Sequence, residues 1–158
     1  LGRGSSFYFT LPVAKRRTQA ASESISPPLR DVRVLVVDDS QEMLALIKRV
    51  LEKAGALVSQ ANSVSEALIR LKEEKPDVLL TDIEMPGEGG YDLIKKVQRL
   101  KSEEGGDIPV AALTAHEREQ EMKKLDEAGF SAKIHKPIDV RKAVETIGRL
   151  ALDHRTLH

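Results

Sequence analysis

From residue 32 onward the hydrophobic positions alternate between two rhythms: short unbroken runs, and longer stretches at helical spacing. Val32, Val34, Leu35, Val36 and Val37 form the first run, closed by Asp38-Asp39. A run without polar alternation reads as a strand buried on both faces. Ser40 then stands as a helix cap before Met43, Leu44, Ile47, Val50 and Leu51, which recur along one helix face. Gly55 stops that helix, and Leu57–Ala61 predicts a short strand. Val64, Ala67, Leu68 and Leu71 repeat the helical spacing until Pro76, and Val78–Thr81 is again a buried-type strand. Tyr91, Leu93, Ile94, Val97 and Leu100 mark a third helix, and Pro109 precedes a strand over Val110–Leu113. Glu117–Ala128 predicts a charged helix stopped by Gly129, Ala132–Ile134 a fifth strand, and Ile138–Leu150 a last helix. Five strand-then-helix units in succession mean an α/β fold, with a parallel sheet covered by helices on both faces.

The chain before residue 32 has a different texture. Ser6–Val13 (SFYFTLPV) predicts a single strand with Phe7 and Phe9 on one face. A lone strand cannot bury that face without partners. Residues 14–31 (AKRRTQAASESISPPLRD) are polar, small and proline-containing, and read as a linker. The chain lacks a starting Met, so it is expected to be cut from something longer.

Composition narrows the chemistry. Lys+Arg and Asp+Glu both number 25 among 158 residues, so no global charge points to nucleic acid or a membrane surface. Cysteine is absent, which excludes disulfides, thiolate metal sites and cysteine nucleophiles. Aromatic residues make up 3%, so the core must be aliphatic. No apolar run approaches a membrane span.

What remains is a constellation at the strand ends, the rim where open parallel sheets carry their sites. Asp38 and Asp39 follow the first strand and Asp82 follows the third. Carboxylates gathered in one pocket repel each other, and a hard divalent cation such as Mg²⁺ resolves the repulsion. Thr114 ends the fourth strand and Lys136 the fifth, a hydroxyl and an ammonium suited to phosphoryl oxygens. Each has a bland reading alone, as a cap or a solvated charge. Together at the ends of four strands they make a joint signal. A dinucleotide-binding site would need Gly-x-Gly after the first strand, and a P-loop would need Gly-Lys-Ser/Thr; neither is present. An aspartyl-nucleophile phosphohydrolase would place its acidic pair differently.

The stretches VLVVDDS, LLTDIEMP, VAALTA and IHKP give residues 32–150 a close resemblance to the receiver domain of two-component response regulators. The resemblance implies a doubly wound, flavodoxin-like fold of five strands in the order 2-1-3-4-5 with five helices. It implies Asp82 as phospho-acceptor, Asp38 and Asp39 with Asp82 as Mg²⁺ ligands, and the backbone carbonyl of Glu84 as a further ligand. Thr114 becomes the switch hydroxyl and Lys136 the phosphate-pairing lysine. The reaction implied is transfer from a phosphohistidine to Asp82, followed by slow self-dephosphorylation and by signalling or onward transfer. The partner would be a histidine kinase dimerisation/phosphotransfer domain or a histidine phosphotransfer protein. The alternative is a receiver-shaped docking module that acts without its own phosphate.

Residues 1–13, with GRGSSFYFTLP, resemble the end of the ATP-binding domain of a sensor histidine kinase. A kinase end, a linker and a receiver give the order of a hybrid histidine kinase. The expected location is cytoplasmic, and the anchoring of the parent kinase is left open. Residues 151–158 (ALDHRTLH) read as a tail, too short for a DNA-binding domain. A weak homodimer through the fourth-helix side is allowed, although no exposed apolar patch is readable.

The chain departs from the family pattern in two places. Lys133 stands three residues before Lys136, where receivers usually carry an aromatic that follows the threonine inward. A lysine cannot bury itself as a ring does. The loop Gly87-Glu88-Gly89-Gly90 is unusually glycine-rich; Gly90 matches a family glycine and is expected to hold a positive φ. Glu84 and His116, two residues past Asp82 and Thr114, are expected to modulate the lifetime of the phosphate by governing water access.

Overall fold

The computed structural model describes residues 28–157. The strand expected over residues 6–13 and most of the linker lie outside that range.

Five strands form one parallel sheet: β1 Arg33–Val37, β2 Leu57–Ala61, β3 Val78–Asp82, β4 Val110–Thr114 and β5 Ala132–His135, in the order β2-β1-β3-β4-β5. Helices α1 Gln41–Lys53, α2 Val64–Glu74, α3 Gly90–Gln98, α4 Glu119–Ala128 and α5 Val140–Leu157 connect and cover it. This is the doubly wound arrangement expected from the alternating pattern.

Two aliphatic layers explain the unbroken strand runs. Val34, Val36, Leu80, Leu113 and Ile134 face a layer built with Leu44, Ile47 and Leu51 of α1 and Ala143 and Ile147 of α5. Leu35, Val37, Leu79 and Ala112 face the opposite layer, with Ala67 and Leu71 of α2, Leu93, Ile94 and Val97 of α3, and Leu125 of α4. Alternate residues of each strand point to opposite faces, so a strand covered on both sides must be apolar throughout. β3 and β4 are buried along their whole length.

Local signals set the element ends. Ser40 Oγ accepts from the Met43 amide at 3.2 Å and Ser63 Oγ from the Glu66 amide at 3.2 Å, each capping a helix N-terminus. Gly129, with φ of 100°, closes α4 in the left-handed conformation.

Several boundaries differ from the sequence reading. Helix α4 begins at Glu119 rather than Glu117. The last helix begins at Val140 rather than Ile138 and continues to Leu157 rather than ending at Leu150. Leu150 and Ala151 are buried, and Arg155 donates to Asp77 Oδ1 at 3.1 Å, to Asp77 Oδ2 at 2.6 Å and to the Asp31 carbonyl at 2.8 Å. Upstream, residues read as linker already belong to the packed structure. Leu29 is 0% exposed, its amide donates to the Ala54 carbonyl at 2.8 Å, and the Asp31 amide donates to Gly55 at 3.3 Å. Among the described residues no helix is long and apolar enough to cross a membrane.

Candidate functional site

In the strand order, β1 lies between β2 and β3; the connection leaving β1 runs one way along the sheet, to β2, and the connection leaving β3 runs the other way, to β4. The crevice outside the carboxyl ends of the strands at such a reversal is where open α/β sheets hold ligands. Asp38 directly follows β1, Asp82 is the last residue of β3, Thr114 the last of β4, and Lys136 follows β5. The fold therefore gathers on one rim the residues that the sequence spreads over a hundred positions.

Asp38, Asp39 and Asp82 each offer a carboxylate oxygen, and these oxygens all lie within 4.8 Å of one another. Asp38 is 1% and Asp82 6% exposed, whereas Asp39 is exposed. Asp38 Oδ1 accepts from the Ser40 amide at 2.9 Å, while its Oδ2 is buried with no hydrogen-bond partner. Burial pushes the Asp38 carboxyl above its ordinary pKa; the Ser40 amide pulls it down, Asp82 pushes it up, Lys136 pulls it down, and Asp39 adds a further upward push. Unit charges about 4–5 Å apart repel by about 3–4 kcal/mol at an effective dielectric of about 20. An oxygen left bare among like charges is what a hard divalent cation would satisfy. The all-oxygen donor set suits Mg²⁺, which keeps several of its waters and takes few protein ligands. The residues fit a divalent metal on this evidence.

Lys136 Nζ donates to Asp82 Oδ1 at 3.1 Å, and the Lys136–Pro137 peptide is cis. The Thr114 hydroxyl is turned to its own loop: Oγ1 accepts from the His116 amide at 3.1 Å and donates to the His116 carbonyl at 3.3 Å. His116 Nδ1 stands 3.3 Å from Glu84 Oε2, so the β3–α3 and β4–α4 loops meet through these side chains. Lys133 pairs with Asp126 of α4.

The loop after β3 approaches its own strand closely. A Cβ on Gly90 would lie 2.7 Å from the Asp82 carbonyl oxygen and 3.0 Å from Ile83 Cα. Steric closeness, rather than backbone handedness, excludes a side chain there. The expectation of a positive φ at Gly90 is thereby corrected: in this loop positive φ falls at Gly87, at 77°. The Gly90 amide donates to the Ile83 carbonyl at 3.1 Å, and the Gly89 amide to Asp92 Oδ2 at 2.9 Å, fastening the loop to its own start and to the first turn of α3.

Sequence reasoning missed the Glu84–His116 pairing as a contact, having placed the two residues only as separate flanks. Equal offsets from two neighbouring strand ends were the available signal. It also missed the partner of Lys133. Asp126 lies seven residues earlier, on a helix whose orientation the helical spacing alone does not set.

Comparison with known proteins agrees with this geometry. The model of the response regulator receiver domain family matches residues 34–148. An uncharacterized 14.6 kDa protein of Leptolyngbya boryana is 34% identical over 124 residues, spanning 78% of this chain and 93% of that protein. The sensor histidine kinase GacS of Pseudomonas protegens is 32% identical over 138 residues, 87% of this chain, but the match covers 15% of the kinase's length. The crystal structure of a putative response regulator from Chloroflexus aurantiacus superposes with a TM-score of 0.72 at 28% identity, covering 78% of this chain and 99% of that one. With its parallel sheet in the order 2-1-3-4-5 and its rim of clustered aspartates, the chain belongs to the CheY-like response regulator receiver family.

Proposed function

We propose that the chain is the phospho-accepting receiver of a two-component phosphorelay, with Asp82 as the nucleophile. The observation that carries this reading is the convergence of Asp38, Asp39 and Asp82 oxygens within 4.8 Å, with Lys136 on Asp82 at 3.1 Å. An ionised carboxylate at the open end of a strand is a competent nucleophile, and a neighbouring ammonium can neutralise phosphoryl oxygens.

In this reading an Asp82 oxygen attacks the phosphorus of a phosphohistidine on a partner. The P–N bond breaks, the ring nitrogen keeps the electron pair and the imidazole takes up a proton from solvent, and an acyl phosphate forms. Lys136 shifts from the Asp82 carboxylate to a phosphoryl oxygen. Thr114 rotates away from the His116 backbone and donates to another. Asp38 and Asp39, with Asp82 and the Glu84 carbonyl, would hold Mg²⁺. The ion, when bound, neutralises charge on the phosphoryl group. Glu84 and His116 stand at the mouth, where their pairing limits the approach of water to the acyl phosphate.

The partner is read as a kinase or phosphotransfer module bearing a phosphohistidine, acting in the cytoplasm. The likeness to a sensor histidine kinase over most of this chain, together with the kinase-like residues 1–13, supports a hybrid kinase as the parent.

Incubation with acetyl phosphate and Mg²⁺, followed by intact mass measurement, tests the assignment. A single phosphoryl adduct that requires the metal and disappears in Asp82→Asn is expected. Absence of any adduct, from acetyl phosphate and from a phosphohistidine donor alike, would leave the docking module as the reading.

A further inference from the structure

The chain enters the sheet through a built turn, and that turn touches the far end of the last helix. Leu29 is wholly buried in the aliphatic layer of α1 and α5. It lies against Gly148, where an added Cβ would stand 3.4 Å from Leu29 Cδ2. The Leu29 amide donates to the Ala54 carbonyl at 2.8 Å, and its carbonyl accepts from the Val32 amide at 3.0 Å, closing the turn. Asp31 holds a φ of 61°, the left-handed region, which a residue with a side chain adopts at a cost that its surroundings must offset.

Arg155, in the last turn of α5, closes the contact from the other side. Its Nη2 donates to the Asp31 carbonyl at 2.8 Å and to Asp77 Oδ2 at 2.6 Å, and its Nε to Asp77 Oδ1 at 3.1 Å. Asp77 Oδ2 also accepts from the Arg33 amide at 2.8 Å. This is not a solvated pair: the Asp77 side chain is 15% exposed, and the guanidinium grips both of its oxygens. One arginine therefore joins the entering turn, the last helix and the residue that precedes β3. Asp82 is at the other end of that strand, so the junction lies at the pole of the sheet opposite the aspartate rim. The turn and Arg155 both lie outside residues 34–148, and the match to the family does not account for them.

We propose that the turn Pro28–Asp31, Asp77 and Arg155 form a clasp that fixes the preceding chain to the receiver body. Residues before 28 then leave from one fixed point on the pole opposite Asp82, and the aspartate rim is turned away from them. The pivot of the preceding segment is residue 28 rather than residue 32, where the apolar pattern begins, and it moves with α5 as one body. Leu29 supplies the apolar anchor of the clasp, and Arg155 supplies the polar one. The clasp is independent of any chemistry at Asp82.

The chain has no cysteine, so two spin labels can be placed without competing sites. Arg30→Cys puts one on the turn, where the arginine side chain is 67% exposed, and Lys95→Cys puts the other on an exposed position of α3. Pulsed dipolar EPR on the whole chain then reads the distribution of distances between them. With Arg155 present a single narrow distribution is expected. In Arg155→Gln the distribution should widen about twofold, and the Leu29 and Asp31 amides should exchange on the order of tenfold faster, while amides of β1, β3 and β4 keep their protection. A broad distribution with Arg155 present would overturn the clasp, and so would an unchanged distribution and unchanged exchange in R155Q. If R155Q loses protection throughout the sheet, Arg155→Lys carries the same expectations, because an ammonium keeps the charge but lacks the planar fork that reaches both Asp77 oxygens and the Asp31 carbonyl.

Discussion

The ammonium of Lys136 donates to Asp82 Oδ1 at 3.1 Å although the two residues are 54 positions apart in the chain. The pair places one positive charge against a cluster of three carboxylates. Replacing Lys136 with Met removes that charge while keeping the length of the side chain. Loss of a hydrogen bond to a charged group should destabilise the metal-free protein by about 1.5–3 kcal/mol. Loss of a donor poised for the phosphoryl oxygens should slow phosphorylation on the order of 10²-fold. Urea melts and time courses with acetyl phosphate measure the two effects. A wild-type rate in K136M would remove Lys136 from the chemistry.

Mg²⁺ should raise the melting temperature, because a cation that binds only the folded aspartate cluster stabilises it by mass action. The gain is about 2.7 kcal/mol at a free concentration a hundredfold above Kd. Asp38→Asn should behave differently. It removes the buried carboxylate whose Oδ2 lacks a partner and keeps an acceptor for the Ser40 amide. We expect D38N to be more stable than wild type without metal and unresponsive to Mg²⁺. Thermal melts across a Mg²⁺ titration decide this; a full metal response in D38N would exclude Asp38 as a ligand.

Glu84 Oε2 and His116 Nδ1 meet at 3.3 Å and join the loops that follow Asp82 and Thr114. If the pair shields the acyl phosphate, Glu84→Ala and His116→Ala should each shorten its half-life severalfold, and the double variant should be no worse than either single one. Non-additivity of this kind marks residues acting as one unit. Additive effects on the decay measured by intact mass would show two independent contributions.

Asp77 and Arg155 supply the pH dependence. Burial penalises the Asp77 carboxylate, but hydrogen bonds from Arg155 and the Arg33 amide, with the Arg155 charge, outweigh it and hold its pKa below the ordinary value. A carboxyl depressed in the folded state binds protons more weakly than in the unfolded chain. Its contribution is therefore present above the ordinary carboxylate pKa of about 4 and is lost as pH falls through the depressed value. Arg155→Ala should destabilise the protein near neutrality by about 1 kcal/mol, since the guanidinium is partly exposed. The same variant should flatten the decline of stability below about pH 4. Chemical denaturation at several acidic pH values tests both. An unchanged acid limb would mean that other carboxyls govern it.

Much of the fold could be read from the chain because its physics is local. A strand covered on both faces must be apolar at every position, which is why VLVV and VLL announce themselves. Helix caps such as Ser40 and Ser63 act within four residues. The ends of α5 could not be read this way. Nothing in ALDHRTLH marks a stop, and the contact that fastens its end, Arg155 to Asp77, spans 78 positions. The burial of Leu29 likewise depends on the core surface near Gly148 and was hidden beneath a linker-like composition.

By itself, the sequence determined the alternation of strands and helices, and therefore a parallel sheet with Asp38, Asp39, Asp82, Thr114 and Lys136 at its carboxyl rim. Hydrophobic spacing and strand-end residue types are one-dimensional properties. Only the tertiary structure decided the contacts: which oxygen of Asp38 is left bare, that Thr114 faces His116, that Gly90 is required by closeness to the Asp82 carbonyl, and that Lys133 pairs with Asp126. Those depend on the relative placement of elements distant in the chain, and on side-chain directions that no local pattern encodes.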